Sequence, residues 1–168
     1  MLFVGADAMK PVLVAGLGNP LIGDEGVGVR VVQALQERSG LPPDVEVLDL
    51  GTAGMKLLHA IRGRRRAILV DCARMGEPPG TIRRFTEQQV RSRKELAGRS
   101  LHETDLLGVL ELAARLGEKP DEVVLFGIEP ADLSAGEGLS DALEARLGEY
   151  VEAVAAAMNL FEDLPRPK

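Results

Sequence analysis

The chain reads as an α/β fold with a mainly parallel sheet and helices on both faces. Three observations predict it. The apolar runs Val12–Ala15, Ala67–Val70 and Val123–Ile128 lack polar alternation, as strands buried on both faces do. Between such runs lie segments whose apolar residues recur at helical spacing. Glycine- and proline-rich turns separate the two kinds, and strands that alternate with helices pair in parallel. No repeat, low-complexity segment or domain boundary is visible. The 168 residues are therefore expected to form a single domain, with a core of about 10–160 and loose segments at 1–9 and 161–168.

Val12–Ala15 runs into Gly16, Gly18, Asn19, Pro20 and Gly23, then into the acidic pair Asp24-Glu25. A helix is expected over Glu25–Arg38, with Val27, Val31 and Leu35 on one face and Ser39-Gly40 and Pro42-Pro43 as its stop. Val45–Leu50 alternates and reads as the second strand, ending near Asp49. Gly51–Gly54 is a turn, with Thr52 the expected N-cap of a helix over Ala53–Ile61. The third strand, Ala67–Val70, ends in Asp71-Cys72, and Thr81–Phe85 suits a short edge strand. Thr86–Arg99 is polar and without a clear period. Ser100-x-x-Glu103 matches a capping box and opens a helix with the stripe Leu106, Leu107, Leu110, Ala113 and Leu116, ended by Gly117. Val123–Ile128 is the last strand, Pro130–Gly138 a loop, and Leu139–Met158 one long helix with Leu143, Leu147, Val151, Val154 and Met158 inward.

Composition narrows the partners. Lys plus Arg is 20 and Asp plus Glu is 26, a net charge of −6, which argues against a nucleic-acid backbone. The basic stretches Arg62–Arg66 and Arg91–Lys94 read as solvated surface, with a docking patch for an acidic partner as the alternative. Cys72 is the one cysteine, so an internal disulfide is excluded and a reducing, cytoplasmic setting fits. No apolar run approaches the ~20 residues of a membrane helix, and Met1–Ala8 is too short for a signal peptide. Nothing demands more than a monomer.

Two phosphate motifs fail at the first turn. Gly16 and Gly18 begin a dinucleotide fingerprint, but the next glycine is Gly23, two positions late. No lysine serves a P-loop, and Asp24 and Glu25 would repel phosphate. An acidic loop suits a metal ion better.

In a parallel sheet three strand ends deliver acids to one edge: Asp24-Glu25, Asp49 and Asp71. His102, opening a later helix, is placed to join them. A helix amino end disfavours imidazolium, and a neutral imidazole suits nickel, zinc or iron. Each residue also has a plain structural alternative. Glu25 suits a first helical turn, Asp49 and Asp71 suit turns that bond backbone amides, and His102 suits an exposed helix start. His59 lies within a predicted helix away from the edge, and Cys72 reads as a small buried group. No H-E-x-x-H or paired C-x-x-C marks a self-contained zinc site.

The combination G-L-G-N-P-L-I-G-D-E-G-V-G at Gly16–Gly28, D-x-G-T-A-G at Asp49–Gly54, L-V-D at Leu69–Asp71 and S-x-H at Ser100–His102 resembles the nickel–iron hydrogenase maturation endopeptidases. The resemblance covers about Val12 to Val154. It implies a three-layer α/β/α sandwich, phosphorylase/hydrolase-like, and a narrow activity: removal of a short carboxy-terminal peptide from the precursor of the hydrogenase large subunit after nickel insertion. The family's metal contacts carry over onto Glu25, Asp71 and His102, and its aspartate before G-T-A-G onto Asp49. Some members carry glycine where this chain has Leu50. The resemblance further implies that nickel arrives with the substrate, although a divalent ion can occupy the same site in isolation.

The expected catalytic residues are therefore Asp49, Glu25 and Asp71. Glu25, Asp71 and His102 complete the coordination of substrate-borne nickel, and the metal or Asp49 polarises the carbonyl or activates water. Two alternatives stand beside this expectation. One is a non-enzymatic nickel-binding assembly factor on the same acidic edge. The other is a peptidyl-tRNA hydrolase-like esterase, a family that shares G-L-G-N-P but continues with R-H-N-x-G, where this chain has Gly23-Asp24-Glu25-Gly26.

Overall fold

A computed structural model describes residues 9–97 and 101–159, with side chains outside 93–105. Five strands form one sheet: β1 (Val12–Leu17), β2 (Val45–Gly51), β3 (Arg66–Cys72), β4 (Ile82–Thr86) and β5 (Glu122–Ile128), in the order β2-β1-β3-β5-β4. β1, β2, β3 and β5 are parallel neighbours, and β4 closes one edge antiparallel to β5. The helices are α1 (Val27–Gln36), α2 (Met55–Ile61), α3 (Glu87–Ala97), α4 (Leu101–Arg115), α5 (Asp141–Glu144) and α6 (Leu147–Asn159). Among the described residues, no helix is long and apolar enough to cross a membrane.

Chain direction explains the three layers. From β1 the chain steps outward to β2, then back across β1 to β3. Right-handed crossovers in opposite directions place their helices on opposite faces. Accordingly Val12, Val14, Ile68, Val70, Val124 and Phe126 pack into one core with α1 and α6. The alternate residues Leu13, Ala15, Ala67, Leu69, Val123 and Leu125 pack into a second core with α2 and α4. β1, between β2 and β3, is buried along its whole length. Its apolar continuity is the consequence of having helices on both sides.

The elements differ from expectation in several places, each for a local reason. Glu25 does not open the first α-helix. It lies on a 3₁₀ turn, Gly23–Gly26, and α1 begins only at Val27. Thr52 caps nothing: α2 begins at Met55 behind Gly54, whose φ of +44° is a glycine conformation, and no side chain caps it. Thr86–Arg99 contains α3, held by charged and polar groups; Arg91 bonds Glu87 at 2.8 Å one turn away. The expected helix Leu139–Met158 is divided, because Arg146 N–H turns back to Leu143 C=O at 3.0 Å and tightens the path. Leu116 falls outside the buried stripe and is exposed. The capping box Ser100–Glu103 and both chain ends lie outside the residues whose side chains are described.

β1 and α1 meet at glycines. A Cβ on Gly16 would stand 2.3 Å from Gly28 O, and one on Gly28 would stand 2.2 Å from Val70 O. Both neighbours are backbone and cannot turn aside. Gly28→Ala is expected to cost about 3 kcal/mol or more, because it wedges α1 off the sheet. A lower urea midpoint at unchanged slope is the measurement; an unchanged midpoint would show that the helix shifts without loss.

Candidate active site at the carboxyl edge of the sheet

β1, β2 and β3 all run the same way, so their carboxyl ends share one edge. The connection leaving β1 runs toward β2 and the one leaving β3 runs toward β4 and β5, so they diverge between β1 and β3 and open a crevice where ligands enter folds of this kind. Gly18, the turn carrying Glu25 and Asp71 meet there. Gly18 has φ +126°; a Cβ on it would lie 1.9 Å from Glu25 O and 3.6 Å from Asp71 Oδ1. A bare glycine is what lets the Glu25 turn lie against the Asp71 carboxylate. Both acids are half-buried.

Asp71 shares the sheet face of Ala67 and Leu69 and borders a cleft with Gly18, the Gly51–Gly54 turn, Leu57 and the α4 residues Leu106 and Val109. Its Oδ1 accepts the Cys72 N–H at 2.8 Å. Asp49 shares the opposite face with Val45 and Val47, under α1. Its Oδ1 accepts the Gly51 N–H at 3.0 Å and its Oδ2 the Gln33 Nε2–H at 3.5 Å. The two aspartates thus flank the end of β1 and do not share one cleft. His102 is the second residue of α4, one turn before Leu106. Its side chain lies outside those described. Among the described residues, no group of three or more His, Cys, Asp or Glu is arranged to hold a metal ion.

The chain matches the family model described as hydrogenase maturation protease over residues 29–157. It is 36% identical over 160 residues to the hydrogenase 2 maturation protease of Escherichia coli, covering 92% of this chain and 96% of that one. It is 35% identical over 158 residues to the hydrogenase expression/formation protein HoxM of Cupriavidus necator, covering 94% of this chain and 78% of HoxM. Its fold is similar to that of the hydrogenase maturating endopeptidase HybD from E. coli, with a TM-score of 0.80 and 36% identity over 89% of this chain and 92% of that one. This chain belongs to the hydrogenase maturation protease family. Membership favours a peptidase over the assembly factor and the esterase.

In this maturation protease the acidic pair divides its labour. Asp24 is fully buried and its carboxylate is spent on structure. It accepts N–H bonds from Ala131 at 2.9 Å, Asp132 at 2.8 Å and Ser140 at 2.7 Å, and the Ser140 hydroxyl at 2.8 Å. One side chain thus ties the turn that carries Glu25 to the loop after β5. Sequence logic grouped Asp24 with Glu25 and had no signal to separate them. It also passed over Glu129, which stands directly after β5 as Asp71 stands at the end of β3. Glu129 is buried and accepts the backbone N–H groups of Met75, at 2.5 Å, and Glu77, at 3.4 Å.

Cys72 is half-buried beside these acids. Burial first, then the carboxylates of Asp71, Asp24, Glu25 and Glu129, push its thiol up to about 12. It is a neutral thiol at physiological pH, not a nucleophile. The same charges make this edge favourable to a cation.

The basic stretch Arg62–Arg66 is solvated surface only in part: Arg62 is exposed and Arg65 half-buried. Arg64 and Arg66 are buried at the amino edge of the sheet, paired with Glu46 and Glu122, and Arg66 Nη1 donates to Ala157 O at 2.6 Å. Arg62 pairs with Glu118 at 3.0 Å.

Two outcomes follow. Asp24→Ala strands the Ala131, Asp132 and Ser140 donors and is expected to cost roughly 3 kcal/mol. Faster hydrogen exchange at Ala131 and Asp132 is the local readout, and protection equal to wild type would contradict the bonding pattern. In the metal-free protease, Cys72 should alkylate far more slowly at pH 8 than in urea. The folded thiol holds its proton above the ordinary value of 9.0, so stability should fall as pH rises from about 9 toward 12.

Proposed function

We propose that this protease removes a short carboxy-terminal peptide from the nickel-loaded large-subunit precursor of a nickel–iron hydrogenase, in the cytoplasm and as a monomer. Family membership supports the substrate class. The observation that carries the site is the meeting of the Glu25 turn with the Asp71 carboxylate at Gly18. In this reading Glu25, Asp71 and His102 contact the nickel that the substrate brings. Two carboxylates and an imidazole suit such an ion. They leave it incompletely coordinated without the substrate's own ligands, so cleavage waits on metal insertion. Holding the metal holds the peptide bond that follows it, and that positioning supplies much of the rate.

Asp49 is the carboxylate proposed to activate water or polarise the carbonyl. Its bond to Gly51 N–H favours a second role, the shaping of the Gly51–Gly54 turn. Asp49→Asn separates the two, because the amide oxygen still accepts from Gly51 but is no base. A base role predicts a loss of about 100-fold or more at unchanged thermal midpoint. Near-normal cleavage would assign Asp49 to the turn.

The primary test is processing of a cognate precursor, nickel-loaded and nickel-free, followed by intact mass. Wild type should release the tail only from the nickel-loaded form. Glu25→Gln should be slower by on the order of 100-fold. Cleavage regardless of nickel would discard the metal-sensing step. No cleavage in any lane, with nickel held by the protein alone, would return the assembly-factor reading.

A further inference from the structure

The cleft beside Asp71 has a feature that metal contact leaves unused: it has depth and apolar walls. Leu17 and Leu57 are buried beneath it, and Leu106 and Val109 of α4 form one wall. Among the described residues, Gly18, the Gly51–Gly54 turn and Asp71 complete the lining. Gly51 and Gly54 both have positive φ, and a Cβ on either would meet nothing within 4 Å, so a peptide can lie close against this turn.

The volume is about 130 Å³. A dry apolar cavity of ~150 Å³ accepts benzene, so this cleft suits a group somewhat smaller, such as a leucine, valine or methionine side chain. A bulkier aromatic ring fits less well, and a carboxylate entering beside Asp71 meets like charge and then apolar walls.

We propose that this cleft is a specificity pocket that receives an aliphatic side chain of the precursor within one residue of the scissile bond. The inference rests on the proposed proteolytic function and adds a second point of recognition to the nickel. Two contacts fix the direction of the chain across the site, where a metal alone leaves it free to swing. Val109 sets the size at one wall. Ala53, on the glycine turn, sets it at the other.

The test uses nickel-loaded cognate precursors with Ala, Val, Leu, Met, Phe or Asp at each position flanking the cut, and tail release read by intact mass. At one position wild type should prefer the aliphatic residues and cleave the Phe and Asp forms at least tenfold more slowly. Val109→Ala should shift the Phe-to-Val ratio toward Phe by about tenfold, the scale of one or two methylenes in such a pocket. Ala53→Val should shift it the other way. Thermal midpoints confirm that each variant is folded, and the two opposed variants keep the test independent of either one. Equal cleavage of all side chains by wild type, or ratios unmoved in both variants, would overturn the pocket while leaving the protease standing. If wild type cleaves no precursor, the proteolytic function falls and takes the pocket with it.

Discussion

Backbone segments approach so closely at the carboxyl end of β1 that no side chain fits between them. Gly16 abuts Gly28 O, Gly28 abuts the carbonyls of Val70 and Leu17, Gly18 abuts Glu25 O, and Gly26 abuts Pro20 Cα. These are contacts between β1, the 3₁₀ turn, α1 and β3, so the glycines set how deeply the first helix seats on the sheet. The same seating carries Glu25 to Asp71. Nucleotide-binding folds use glycines in this place for close approach to a phosphate. Here the approach is of protein to protein, and what is exposed at the top is carboxylate. One backbone constraint therefore decides both the packing of the α1 face and the charge offered to a ligand.

That constraint is why neighbours of the same chemistry part company. Asp24 and Glu25 are successive residues of one tight turn, and one is fully buried while the other is half-buried. Asp24 is enclosed by donors from the loop after β5 and holds the turn in place. Glu25 stays half-exposed at the crevice. A satisfied buried carboxylate is a stable anchor, since each bond it accepts removes the cost of an orphaned N–H. The anchor serves the proposed functional acid: a Glu25 on a free loop would sample many positions, and the Asp24 bonds hold its turn beside Gly18.

What was legible in the sequence follows the same division. Val12–Leu17, Arg66–Cys72 and Glu122–Ile128 were visible because burial on both faces leaves an unbroken apolar run, and the run belongs to the chain itself. The placement of Asp49 and Asp71 at one edge was visible too, because parallel strands put their ends together. The faces they occupy were not anticipated, although strand parity already separates them: Asp49 falls in phase with Val45, Asp71 with Ala67. Boundaries set by long-range partners were out of reach. Nothing near Glu25 announces a 3₁₀ turn, which is fixed by Asp24 bonds to residues more than a hundred positions away. Buried Arg64 and Arg66 looked like surface because their partners, Glu46 and Glu122, come from other strands. Glu129 was within reach of the strand-end logic that marked Asp71.

The geometry also bears on how a small protease can be narrow without a large interface. An acidic crevice alone attracts many cations, and an apolar cleft alone accepts many side chains. Neither contact discriminates strongly, since a side-chain pocket of this kind is worth about 10- to 200-fold between neighbouring sizes. Joined in one peptide the two contacts cease to be independent. Once the metal is held, the side chain that follows it is presented to the cleft at high effective concentration, and a chain with the right residue but no metal gains nothing from that. Selectivity in the proposed reaction then lies in the distance between the Gly18–Asp71 crevice and the Leu106–Val109 wall. The rigid parts that set this distance are β3 and α4, packed through the core of Leu69, Leu110 and Leu125.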